Sequence, residues 1–118
     1  MGQRKPLADQ IRSNLASLDA VSAFAGSQLW LTFELAGPAG KLWDVSEVLA
    51  AEGWLNIDGW DSGFLYPKRE VERTATAILA VAEKMRDFSK ACGIEMISID
   101  ADTSPDVRNS SFEPLYLS

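Results

Sequence analysis

Histidine is absent from this chain, and its absence limits the chemistry the protein can perform. Histidine is the commonest general base at neutral pH and a common metal ligand. No other catalytic or ligand-binding motif in the sequence compensates for this absence. The serines have no base partner, and the chain contains no Gly-x-Ser-x-Gly elbow, glycine-rich phosphate loop or cysteine cluster. We therefore predict that the protein is not an enzyme and has no catalytic residue, no metal site and no cofactor.

Cysteine, long apolar runs and basic residues are also scarce. The single cysteine, Cys92, excludes an internal disulfide and suits a reducing compartment. No apolar run approaches the ~20 residues of a membrane span, and the first residues lack the apolar core of a signal peptide. Eleven basic against seventeen acidic residues give a net charge of -6, the wrong sign for binding nucleic acid. We predict a cytoplasmic protein that does not enter a membrane.

The chain does contain enough apolar residues, 47% of 118, to bury the core of one domain. Apolar spacings of three and four predict an N-terminal helix within residues 1–26, a second helix over about 42–52 and a third over about 71–92. Alternation predicts strands over 29–35 and 94–100 and a central hairpin over 53–67 that turns at Asp61-Ser62-Gly63. Residues 27–100 thus follow the order βαββαβ, and residues 101–118 read as an irregular tail.

This order predicts an α+β fold in a single domain, residues 1–118. The expected architecture is a ferredoxin-like βαββαβ sandwich, with a four-stranded antiparallel sheet and two helices on one face. The extra N-terminal helix and the tail lie outside that unit.

Alternation along the strands also predicts an aromatic sheet face turned away from the helices. The side chains expected there are Trp30, Trp54, Trp60, Phe64, Tyr66 and Met96. A one-residue slip of the hairpin would exchange part of this set. Because soluble monomers seldom leave such a face bare, we expect the two chain ends to cover much of it. A second copy, giving a homodimer, or a partner would cover it otherwise.

The layout of residues 29–100 resembles the regulator of ribonuclease activity B family. The similar segments are Glu52-Gly53-Trp54, the helical Val81-Ala82-Glu83-Lys84 and Gly93-Ile94-Glu95. Members of this family are small acidic bacterial proteins of ferredoxin-like fold that bind and inhibit an endoribonuclease. The resemblance implies a regulatory protein-binding role, and no binding residue is carried over from it.

Local charge favours the same role, because residues 27–53 carry one basic and four acidic side chains and residues 94–118 carry one and five. We predict a regulatory or inhibitory domain that binds a protein with a basic surface through an acidic, aromatic-containing surface. The candidate binding residues are Asp58, Trp60, Asp61 and Tyr66 at the hairpin and Asp100 and Asp102 at the end of the last strand. Each of these acids also has a simpler interpretation as a solvated turn or strand end.

Two alternatives share the strand order. An ACT-like amino-acid sensor would use Gly37-Pro38-Ala39-Gly40 for close approach to a ligand. A single-stranded nucleic-acid binder similar to RNA-recognition motifs would use Leu29-Trp30-Leu31 and Gly63-Phe64-Leu65-Tyr66. The net charge of -6 argues against nucleic acid.

Overall fold

A computed structural model describes residues 5–55, 59–106 and 111–118 of the chain. Within this part there are three α-helices, five strands and two short 3-10 turns. In chain order they are α1 Leu7–Leu18, a 3-10 turn at Ser22–Phe24, β1 Gln28–Ala36, α2 Ala39–Ala51, a second 3-10 turn at Trp60–Ser62, β2 Phe64–Leu65, β3 Lys68–Glu72, α3 Ala75–Cys92, β4 Glu95–Asp102 and β5 Phe112–Leu117. The predicted mixed α+β class is confirmed.

The strands form one antiparallel sheet with β1 inside it. Strand β4 pairs with one side of β1, β2 and β3 pair one after the other with its opposite side, and β5 pairs with the free side of β4. Pro67 separates β2 from β3 because proline has no N–H to donate to a ladder. Its carbonyl still accepts a hydrogen bond from the Phe33 N–H at 3.0 Å. The sheet therefore has five strands where the sequence predicts four.

All three helices lie on the same face of this sheet. Leu29, Leu31, Phe33 and Leu35 of β1 are buried in one core cluster together with helix residues such as Ile11, Leu42 and Ile78. The side chains between them on β1 point the other way and are half-buried. We call this second side the outer sheet face. It includes Trp30, Thr32, Glu34, Phe64, Tyr66, Lys68, Glu70, Ser98, Asp100, Asp102 and Phe112.

The start of α3 differs from the prediction, which placed it at about residue 71. Val71 instead pairs with Leu29 in β3, so strand pairing overrides the helical spacing there. The helix begins after Thr74, whose side-chain oxygen accepts a hydrogen bond from the Ala77 N–H at 3.2 Å. It ends at Gly93, which has a left-handed φ of 71° that favours glycine.

The C-terminal segment is a strand over Phe112–Leu117, so the prediction of an irregular tail is wrong for these residues. Side-chain amides on α1 bond its backbone. Gln10 both donates to the Leu117 carbonyl and accepts from the Leu117 N–H, each at 3.0 Å, and Asn14 donates to the Leu115 carbonyl at 2.8 Å. These bonds satisfy backbone groups that an edge strand would otherwise leave exposed.

Within the described residues, the elements nearest the two chain ends, α1 and β5, do not cover the outer sheet face in the way we expected. Helix α1 lies on the helix side, where Leu7, Ile11 and Leu18 join the core, and β5 continues the sheet beside β4. The physical reason is that Leu115, which is fully buried, packs within that same core. In the part of the chain that the structure describes, no helix is both long and apolar enough to cross a membrane.

Candidate functional site on the outer sheet face

A buried ion pair occupies one end of the outer sheet face. Lys68 Nζ lies 3.2 Å from Asp102 Oδ2, and both residues are only 4% exposed. Thr32, on the strand between them, accepts a hydrogen bond from Lys68 Nζ at 2.6 Å and donates one to Asp102. Both charges are therefore neutralised and hydrogen-bonded, which is the condition for burying them without a large desolvation penalty.

A second polar cluster is centred on Glu34, near the C-terminal end of β1. Its carboxylate accepts a hydrogen bond from the Tyr66 hydroxyl at 3.3 Å and from the Ser98 hydroxyl at 3.4 Å. Burial, the charge of Glu34 and this hydrogen bond all raise the pKa of Tyr66. The tyrosine therefore stays protonated and positions the carboxylate of Glu34 on the face.

Asp100 lies between these two clusters, opposite Thr32 in the strand register. Burial raises its pKa, and so do the negative charges of Asp102 and Glu34, while Lys68 lowers it. Around Asp100 the face therefore holds the carboxylates of Glu34 and Asp102 and the single ammonium of Lys68, so negative charge predominates there. An added cation near Asp100 would relieve this repulsion.

Aromatic side chains border the acidic centre. Phe64 and Tyr66 stack with ring centroids 6.5 Å apart. At the opposite end, Asp102 lies in the register between Trp30 of β1 and Phe112 of β5. Phe112 is 65% exposed, the largest exposed fraction among the large hydrophobic residues described. The face thus combines negative charge with aromatic surface.

The structure brings only part of the predicted site together. Tyr66, Asp100 and Asp102 share the outer sheet face, although Asp102 is buried in its ion pair. Trp60 instead packs edge-on against Trp43 of α2 with centroids 5.0 Å apart, which places it on the helix side. Asp61 is exposed in the same 3-10 turn as Trp60. The predicted site residue Asp58 lies outside the described residues.

Two members of the predicted aromatic face are also misplaced, because Trp54 and Met96 are buried in the core on the helix side. Trp54 meets Phe33 edge-on at 5.6 Å. Met96 pairs with Leu35, while the neighbouring pair joins Glu34 to Ser98, so Ile97 is skipped in the register. Such an irregularity shifts the inward-outward alternation by one residue, which the pattern alone does not reveal.

Sequence reasoning missed the residues that organise this face: Thr32, Glu34, Lys68 and Ser98. The sequence could have indicated that Thr32 and Glu34 lie on this face, because they alternate with the buried residues of β1. Lys68 carried no such signal, since a lysine after a proline reads as a solvated loop residue.

The remaining predicted features have structural explanations. Gly37 lies against Ile94, and a Cβ at position 37 would approach Ile94 Cγ2 to 2.8 Å, so close packing accounts for this glycine. Within residues 5–55, 59–106 and 111–118, no three cysteine or carboxylate side chains cluster closely enough to hold a metal ion. Comparisons of the chain with protein-family models, curated proteins and solved structures yield no match.

Proposed function

We propose that this chain is a non-enzymatic regulatory or inhibitory domain that binds a basic segment of a protein partner on its outer sheet face. One observation carries the proposal: the half-buried carboxylates of Glu34 and Asp100 lie on a sheet face bordered by Phe64, Tyr66 and Phe112. Carboxylates steer a basic partner and hold its Lys or Arg side chains, while aromatic rings supply contact area that binding removes from water.

The fold proposal belongs with this function. We regard the sheet as a variant of the ferredoxin-like arrangement, because β1 lies between β3 and β4 and all neighbours are antiparallel. Leu55 forms an isolated bridge to Lys68 at the place where the second strand of a βαββαβ unit would pair. Strand β5 is then an addition to the unit. This layout supports the resemblance to ribonuclease regulators, which stays a proposal.

The nucleic-acid alternative is weaker on physical grounds. Trp30 and Tyr66 share the face with Glu34, Asp100 and Asp102, and these carboxylates would repel phosphate groups next to any stacked base.

The amino-acid sensor loses its main support, because Gly37 packs against Ile94. Homodimer formation and a cytoplasmic location stay predictions.

The test is a matched capture experiment with the full chain as bait. The first variant, Glu34→Gln with Asp100→Asn, removes two negative charges from the outer sheet face. The control variant, Asp44→Asn with Glu47→Gln, removes two exposed charges from α2 instead. Proteins retained by each bait are identified by mass spectrometry and then purified for binding measurements.

We expect a partner that binds wild type and the control equally and the outer-face variant at least about tenfold more weakly, the effect of losing one to two charge-assisted contacts. Binding should also weaken sharply at about 0.5 M NaCl. Equal binding by the outer-face variant, or equal loss in both variants, would contradict the proposal. Quenching of tryptophan fluorescence by oligonucleotides would favour nucleic acid instead.

A further inference from the structure

A cavity of about 370 Å³ lies on the other side of the sheet, between the C-terminal end of α2, β3 and the middle of α3. Its apolar lining comes from Leu49, Trp54, Val81, Met85 and Phe88. Cavities that bind small molecules are typically ~300–1,000 Å³ and mostly apolar. This one therefore has room for a single ring with a short chain.

Arg69 of β3 occupies a position at which the alternation of the strand predicts an apolar residue. Arg69 pairs with Leu31, whose side chain is fully buried on the helix side, and its neighbours in the alternation, Pro67 and Val71, are buried there too. The guanidinium carbon of Arg69 lies 4.4 Å from the centroid of the Trp54 ring. Arg69 Nη2 donates to the Glu52 carbonyl at 2.6 Å, which fixes the side chain over that ring.

The positive charge at this cavity is not used by an ion pair within the described residues. Lys84 of α3 lines the cavity with Arg69, and no described carboxylate lies within 4.0 Å of either side chain. Glu52 contributes one acid to the lining, so the net charge there is positive in a chain whose overall charge is -6. Arginine has five N–H donors, and its contact with Glu52 uses only part of this capacity.

We propose that this cavity binds a small amphipathic carboxylate, a molecule with one aromatic or branched apolar body and one negative charge. The body would pack on Trp54, Met85 and Phe88, and the carboxylate would accept hydrogen bonds from Arg69 and Lys84. Arginine matches a carboxylate in a bidentate geometry that suits this role. A ligand with several negative charges fits less well, because the acidic chain repels it at longer range. The site is separate from the outer sheet face and does not depend on the proposed partner.

The experiment is an NMR titration of the full ¹⁵N-labelled chain with 3-phenylpropionate and, separately, with its neutral isostere 3-phenylpropanamide. We expect saturable shifts at the Trp54 indole N–H and at the amides of Val81, Lys84 and Met85 with the carboxylate. The neutral amide should bind at least about tenfold more weakly, because it cannot form a charge-assisted hydrogen bond. No saturable shift, or equal affinity for both compounds, would overturn the proposal.

Three variants locate the contacts. Lys84→Gln changes an exposed side chain, so it should fold, and we expect it to reduce the affinity for 3-phenylpropionate several-fold without changing that for the amide. Arg69→Gln should reduce it about tenfold or more. Lys90→Gln, on the same helix but outside the cavity lining, should change neither affinity. An effect of Lys90→Gln equal to that of Lys84→Gln would show that only net charge matters and would contradict the proposed site.

Discussion

At the scale of single residues, the most consequential contact joins Lys68 to Asp102, two charged side chains 34 positions apart in the chain. Their burial is balanced by mutual neutralisation and by the hydroxyl of Thr32. A buried pair of this kind contributes little net stability over apolar replacements, yet the loss of one partner leaves a charge without compensation. The pair should therefore behave non-additively on mutation.

We expect Asp102→Leu alone to lower the free energy of unfolding by about 3–5 kcal/mol, because Lys68 stays buried and unpaired. The double variant Asp102→Leu, Lys68→Met should recover most of this loss. Urea unfolding of the two single variants and the double variant measures the coupling. Asp61→Asn, at an exposed turn, is the control and should change stability by less than about 0.5 kcal/mol. Additive losses would show that the pair is not a unit.

Asp100 should make stability depend on pH with a defined sign. Its folded-state pKa is raised above the ordinary value of 3.8, first by burial and then by Asp102 and Glu34. A raised pKa means that the folded state favours the neutral form of Asp100. The stabilisation of the folded state by this protonated form is fully present below the ordinary pKa, and it is lost as the pH rises through the folded-state pKa. Charged Asp100 therefore reduces stability at neutral pH.

We expect Asp100→Asn to increase the free energy of unfolding at neutral pH by up to about 1 kcal/mol, the usual scale for a partly exposed charge interaction. The gain should vanish as the pH falls below 3.8, where wild type is protonated in both states. Urea unfolding across this pH range checks it, with exposed Asp44→Asn as the matched control. A loss of stability at neutral pH would contradict the assigned sign.

At the scale of elements, the two ends of the chain meet in the structure. The side-chain amides of Gln10 and Asn14 on α1 form hydrogen bonds with the backbone of β5, and Leu115 anchors the strand in the core. These bonds occupy backbone groups of Leu115 and Leu117 at the free edge of β5, where they would otherwise be open to pairing with other chains. The attachment of β5 to the rest of the protein should therefore depend mainly on the buried side chain of Leu115.

Leu115→Ala is expected to lower the free energy of unfolding by about 2–5 kcal/mol, since Leu115 is fully buried. Leu117→Ala deletes the same atoms two residues later at a side chain that is 42% exposed, and it should cost less than about 1 kcal/mol. Thermal or urea unfolding compares the two. Similar costs at both positions would mean that β5 does not pack as described.

At the scale of the whole molecule, charge is unevenly distributed. The outer sheet face carries Glu34, Glu70, Asp100 and Asp102 against Lys68, while the cavity on the helix side carries Arg69 and Lys84 against Glu52. The chain as a whole has a net charge of -6, so like charges repel each other in the compact state. Counterions should relieve part of this repulsion.

We expect the melting temperature at neutral pH to rise when NaCl increases from about 10 mM to about 500 mM, because the Debye length shortens from roughly 30 Å to a few ångström. Near pH 4.5, the isoelectric point of the chain, the same change in salt should have a much smaller effect. Differential scanning calorimetry at both pH values tests this. A larger salt effect at pH 4.5 would contradict the role of net charge.

Local periodicity was sufficient to predict the helices and the alternation of β1, because each depends on neighbouring residues only. Apolar residues at spacings of three and four predicted α3, and Leu29, Leu31 and Phe33 predicted which side of β1 is buried. The C-terminal strand escaped prediction since Pro114 and isolated apolar residues give β5 no clear alternation. Its pairing with β4 and the amides of α1 stabilise it instead.

Amino-acid composition and the periodicity of apolar residues alone therefore determined the α+β class, the inward side of β1 and the acidic character of the chain. The tertiary structure decided which side chains meet. The register between β1, β3 and β4 brings Lys68 to Asp102, and the skip at Ile97 turns Met96 inward. The same register places Arg69 beside a cavity rather than in solvent. These contacts depend on pairing between distant segments, which no local pattern encodes.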